Sequence, residues 1–321
     1  MSNAMTRPEY KNVLVTAWND SGAGRFMRLM DGADQVFAFP FELLLGAEAA
    51  VGIQNEPSLV SGKYRWNVFR DPEQFQAVLE QEPLNQRALD PSESELNDWL
   101  AARKFEALSQ YKDRARSFVD SLAVQTPDHR QLLQTDAVLA YIESMKAVFA
   151  GHHASINLIH SPCAALDWER PQFWSVFSRA IVIVIDPRWG FGNMHARNKI
   201  PPHRYLERWL RINQASLQLK QQHPEHVLIL RSSADANQQA ENIARAHDFL
   251  GISTMNATTR TPTLLGEAMG DIGFPFGGIM SWSAQSHKNY IAEAKRTLAK
   301  ADNHAVQLLD QCVSLYKLLE P

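Results

Sequence analysis

Cysteine is scarce in this 321-residue chain. The two present, Cys163 and Cys312, lie far apart and outside any C-x-x-C pattern. That argues against a disulfide framework or a thiolate zinc cluster, and predicts a reducing compartment, the cytoplasm. Long apolar runs are missing as well. The unbroken run Ala180 to Ile185 falls far short of the roughly 20 residues that a membrane helix requires, so no membrane span is expected. Neither sign of charge dominates: 32 Lys and Arg stand against 35 Asp and Glu, a formal net charge of -3. No global basic field draws such a chain to nucleic acid or to an anionic membrane surface. What it does have is ordinary globular material, 45% hydrophobic and 21% charged, which suffices for a sizeable core. Met1 to Ala4 reads as an expression scar ahead of Met5, and the polar residues behind it predict no signal peptide. A single α/β domain over residues 5–321 is expected.

Along the chain, strand and helix patterns alternate. Asn12 to Ala17 (NVLVTA) is a β-branched run that gives way to the turn-forming stretch Trp18 to Gly24. From Arg25 the period becomes helical, with Phe26, Leu29 and Met30 on one face and a stop at Asp31-Gly32. Gln35 to Phe39 reads as a second strand, closed by Pro40-Phe41-Glu42. Residues 71–150 are helical in pattern, with Ser92 and Glu95 as a capping box. This insertion is expected to cover a sheet and to contribute to an acceptor pocket. Ile156 to Ile159 is a short strand. Ala180 to Ile185 and Val227 to Leu230 are continuous apolar runs, as in parallel strands buried on both faces. Helices are predicted over Arg204 to Gln221 and from Gln238 to Leu250, where Gly251 stops the second. A glycine-rich loop, Gly266 to Gly278, leads into one final helix carrying Ile291, Leu298, Val306, Leu309, Val313 and Tyr316. This alternation predicts a parallel sheet with helices on both faces.

Strand, glycine turn and helix together make a phosphate-binding opening. A Walker A loop needs G-x-x-x-x-G-K-[ST], where Lys reaches the terminal phosphate and the hydroxyl holds Mg²⁺. Aligned on Gly22, this chain has Ala17 for the first glycine, Ala23 for the lysine and Gly24 for the hydroxyl. The parts for metal-nucleotide hydrolysis are absent from the turn. Backbone donors at a helix N-terminus still make an anion site without them. His152-His153 is no metal pair, because adjacent side chains point apart and no third ligand is suitably spaced.

The segment SGAGRFMRLMDGADQVFAFPFEL resembles the 5′-phosphosulfate loop of sulfotransferases, usually [RK]-S-G-T-T-L-L followed by L-x-x-H-P-D-V. The resemblance continues in order. LIHSP at 158–162 is similar to a D-K-T-P run, and VFSRAIVIVIDPRW at 176–189 to the strand before R-D-P-R. HVLILRSSAD at 226–235 is similar to the strand ending R-Y-E-D-L, and DFLGI at 248–252 to the F-L-G segment. The resemblance implies a three-layer, P-loop NTPase-like fold with a central parallel sheet flanked by helices. It also implies transfer of a sulfuryl group, without metal, from 3′-phosphoadenosine 5′-phosphosulfate to a hydroxyl of a carbohydrate or small-molecule acceptor.

It further implies a donor site made of Ser21, Gly22, Ala23, Gly24 and Arg25 at the 5′ end, with Arg188, Asn193 and Lys288 toward the 3′-phosphate. Glu42 and His160 are the two candidate bases for the acceptor proton. An ordinary histidine pKa near 6.5 suits that role, whereas a carboxyl near 4.3 would have to be raised by burial. Several positions depart from the family pattern. Asp20 stands for Arg or Lys, Ala23 and Gly24 for two threonines, Ile185 for the first Arg of R-D-P-R, and Asn193 for a serine. Ser232 and Ser233 replace Tyr and Glu, and His160 replaces Lys. Arg197, Lys199 and Lys288 are candidate replacements for the lost cations, and each reads equally as a solvated surface charge. Two functions therefore stand side by side: a sulfotransferase with a rearranged donor site, or a catalytically inactive binding or scaffold protein on the same fold.

Overall fold

A computed structural model describes residues 11–18, 21–31, 33, 35–42, 154–252, 263–264, 267–268 and 284–319, with helical positions scattered over 135–146. Strands β1 (Lys11–Ala17), β2 (Val36–Glu42), β3 (Ile156–His160), β4 (Arg179–Val184) and β5 (Val227–Arg231) form one sheet in the order β2-β3-β1-β4-β5. Every pairing is parallel, from Lys11↔Ile156 on one side of β1 to Val13↔Arg179 on the other. The apolar runs become strands because a parallel strand buries both faces. Val13, Leu14 and Val15 are 0% exposed, as are Ala180 and Ile181.

The helices are α1 (Ala23–Met30), α2 (Pro171–Val176), α3 (Pro187–Asn198), α4 (Pro202–Gln222), α5 (Ala236–Leu250), α6 (Ala284–Leu298) and α7 (Asn303–Leu318). From β1 the chain crosses through α1 to β2 on one side; from β4 it crosses through α3 and α4 to β5 on the other. With a common right-handed crossover, the two connections fall on opposite faces of the sheet. Packing agrees: α1 meets α5, while α3, α4, α6 and α7 pack on one another. The α/β three-layer expectation holds, and β1 and β4 are interior strands.

Three local expectations change. The predicted single last helix is two, because Asp302 caps a fresh start by accepting from the Ala305 amide at 2.8 Å. Val306 consequently lies 43% exposed instead of on a buried face. Helix α3 was not expected; its start is written in Asp186-Pro187, an N-cap followed by proline at the first helical position. A two-residue hairpin, β6 (Thr263–Leu264) with β7 (Glu267–Ala268), falls where an irregular loop was read. Most of the insertion at 71–150, its capping box, and His152-His153 lie outside the described residues.

Both cysteines are buried: Cys163 follows β3, and Cys312 lies on α7 with its Sγ 3.4 Å from the Leu206 carbonyl oxygen. Burial pushes the Cys312 thiol up to about 12.

Candidate functional site

Strand order reverses beside β1, and in open parallel sheets ligands bind in the crevice outside the carboxyl ends at such a switch point. The glycine turn is placed there. Gly22 has φ 88° and ψ 10°, a left-handed conformation that favours glycine, and it is the N-cap of α1 with no side-chain cap. The Phe26 amide closes the first helical turn on the Gly22 carbonyl at 3.0 Å. The amides of Ala23, Gly24 and Arg25 therefore come before the first intrahelical bond and face the end of the helix. Three buried polar atoms in the segment leading into this turn have no hydrogen-bond partner among the described residues. These are Thr16 Oγ1, Trp18 Nε1 and Ser21 Oγ, in residues 0%, 5% and 2% exposed. Leaving such an atom unmade costs about 1–3 kcal/mol. A sulfate or phosphate oxygen suits this donor set. Asp20 lies outside the described residues.

The loop after β5 is stitched to this turn. Ser232 Oγ donates to the Ser21 carbonyl. Arg25 Nε donates to Gln239 Oε1 at 3.0 Å, and Gln239 Nε2 donates to the Ser233 carbonyl at 2.8 Å. Burial lowers the pKa of Arg25 from its ordinary value. Asp235 caps α5 from the same loop, accepting from the Gln238 amide at 3.0 Å.

The other expected donor residues lie on α3 and α6. Arg188 forks onto its neighbour Asp186, with Nε to Oδ1 at 3.0 Å and NH2 to Oδ2 at 2.5 Å. That hydrogen bond raises the Arg188 pKa. Asn193 is fully buried on α3 (0% exposed), and Ile185 is a core residue whose carbonyl accepts from Trp209 Nε1 at 3.0 Å. Arg231 donates to the Tyr316 carbonyl and stacks 4.2 Å over the Tyr316 ring. Lys288 is exposed on α6, and Lys199 is exposed at the end of α3.

The two candidate bases come together. Glu42 and His160 are register partners on adjacent strands, across an irregularity in the β2–β3 ladder between Ala38 and Glu42. Paired strands lie about 4.8 Å apart. Near His160 stands Arg28 of α1, only 2% exposed, which donates to the Phe39 carbonyl at 2.9 Å. Desolvation lowers Arg28 to about 10, against the pull of Asp31. Desolvation, and then the Arg28 charge, push His160 down to about 3, although part of its surface stays accessible. His160 is thus a neutral imidazole throughout the physiological range and a poor proton acceptor. Arg28 left no trace in the sequence, since a cation on an amphipathic helix reads as solvent-facing. Thr16, Trp18 and Gln239 gave no motif signal either.

No protein-family model and no curated protein matches the chain. Among solved structures it is similar to the sulfotransferase domain from the Synechococcus PCC 7002 olefin synthase, at 14% identity and a TM-score of 0.42. That match covers 95% of this chain and 96% of the other. It is also similar to the sulfotransferase domain from the curacin biosynthetic pathway, at 13% identity and a TM-score of 0.44, over 94% and 97% of the two chains. Among the described residues no group of His, Cys, Asp or Glu is placed to hold a metal, and no helix is long and apolar enough to cross a membrane.

Proposed function

We propose that this chain is a sulfotransferase-like protein that takes 3′-phosphoadenosine 5′-phosphosulfate by its anionic 5′ end at the glycine turn. The acceptor is a hydroxyl of a carbohydrate or small molecule, and the setting is the cytoplasm. The observation that carries this reading is Ser21 Oγ, which is 2% exposed and has no partner among the described residues. It stands directly before left-handed Gly22 and the uncapped start of α1. A cationic ligand group would not answer that donor set; a tetrahedral oxyanion, with several acceptor oxygens, would.

The donor supplies the sulfuryl group. The chain's own part is to hold the anion, to orient the acceptor and to take its proton. Glu42 is the base in this reading, with His160 beside it as a neutral hydrogen-bond partner, because an imidazole held near 3 gives little driving force for proton transfer. Arg25 supplies positive charge to the cradle.

Titration calorimetry with adenosine 3′,5′-bisphosphate tests the cradle. Ser21→Ala is expected to weaken binding by about tenfold, the worth of one charge-assisted hydrogen bond. Glu42→Gln should abolish release of the bisphosphate from the sulfated donor and leave its binding unchanged. Binding that ignores Ser21→Ala would refute the cradle. The second reading, a donor-binding protein without turnover, is favoured by the depressed His160. Tight binding with no sulfuryl transfer to any of a panel of sugars and phenols would establish it.

A further inference from the structure

Among the described residues, Arg188 stands just beyond β4 and Arg231 at the end of β5, in the half of the crevice that these strands form. Both already hold a partner within the chain, Arg188 at the surface and Arg231 part-buried. Asp186 grips the Arg188 guanidinium with both carboxylate oxygens, and its Oδ1 also takes the Arg188 amide at 2.8 Å. The backbone bond that caps α3 thus anchors the same carboxylate that holds the side chain. Arg231 is committed to the carbonyl and ring of Tyr316, and that ring lies 6.4 Å from Trp209 in the α4–α7 contact. Just before Asp186, Ile185 presents no charge and no exposed surface. An incoming phosphate at this wall would meet the Asp186 carboxylate beside Arg188 and would have to share either arginine with the partner it already holds.

We propose that this half of the crevice reads no second anionic group. The ligand is recognised by one terminal sulfate or phosphate at the glycine turn. The second phosphate of a nucleoside 3′,5′-bisphosphate then adds little to affinity. This inference rests on the oxyanion cradle proposed above and narrows the class of donor it accepts.

Calorimetry at one ionic strength decides it, with adenosine 5′-phosphate, adenosine 3′,5′-bisphosphate and inorganic sulfate as probes. The two nucleotides are expected to bind within about threefold of each other. Asp186→Asn keeps an acceptor for the cap and removes the charge; Asp186→Ala removes both. Each should release Arg188 and shift the ratio about tenfold or more toward the bisphosphate. A bisphosphate preference above about tenfold in the unmodified protein, with sulfate still bound, overturns this inference and leaves the cradle standing. Two variants that melt cooperatively yet leave the ratio unchanged also overturn it. If none of the three probes binds, the cradle fails and this inference falls with it.

Discussion

Helices α3 and α6 approach so closely at Gly192 that a single methyl group tests their packing. A Cβ built there lies 1.9 Å from the Tyr290 carbonyl oxygen and 2.7 Å from its carbon, whereas ordinary contact begins at 3.4 Å. The difference, 3.4 minus 1.9, requires the α6 backbone to retreat by about 1.5 Å. The obstacle is main chain within a helix, so no rotamer change relieves it. Around it, Phe191 and Ala294 are 0% exposed and would lose contact. Overpacking of this kind costs about 1–3 kcal/mol, while alanine returns about 0.5–1 kcal/mol of helix propensity. Gly192→Ala should therefore destabilise the protein by about 1–2 kcal/mol. Gly24→Ala is the control. It is also helical, a Cβ there meets nothing within 4 Å, and it should be neutral or slightly stabilising. Urea unfolding followed by circular dichroism reads both, as a lower midpoint at unchanged slope for Gly192→Ala only. Equal midpoints for that variant and the unmodified protein would show that the two helices do not meet as described.

Acid should act through His160. Its pKa in the folded protein, about 3, lies below the ordinary 6.5, so the unfolded chain takes the proton first. The corresponding stability is complete above pH 6.5 and is lost as pH falls toward 3. Urea titrations across that window should show His160→Gln flattening the decline; an unaltered slope would mean that the ring is not held neutral. Gln239→Glu should place a carboxylate on Arg25 and weaken sulfate binding by about tenfold, measured by calorimetry. Unchanged affinity would remove Arg25 from the cradle.

The strands were legible because burial on both faces leaves a continuous apolar record: Ala180 to Ile185 was read one residue out of register with β4, Arg179–Val184. The glycine turn was legible because a left-handed N-cap admits few residues. What escaped the sequence was pairing at a distance. The Tyr316 carbonyl that takes Arg231 and the guanidinium behind His160 depend on which elements the fold brings together. The break between α6 and α7 was a different kind of miss. Apolar spacing runs on through Leu298 and Val306, and only the capping aspartate, Asp302, marks the interruption.

The two buried thiols make the protein its own reporter of local opening. Cys163 follows His160 by three residues, 3% exposed, and its amide is tied to the Ala17 carbonyl at 2.9 Å. Cys312 is sealed between α7 and α4 with 0% exposure. A thiol reagent reaches neither until its surroundings open, so each labelling rate measures the free energy of one region. Cys163 reports on the carboxyl end of β3 and Cys312 on the contact of α7 with α4. An anion that settles on the glycine turn should slow the first clock far more than the second, separating occupancy of the site from stiffening of the whole molecule.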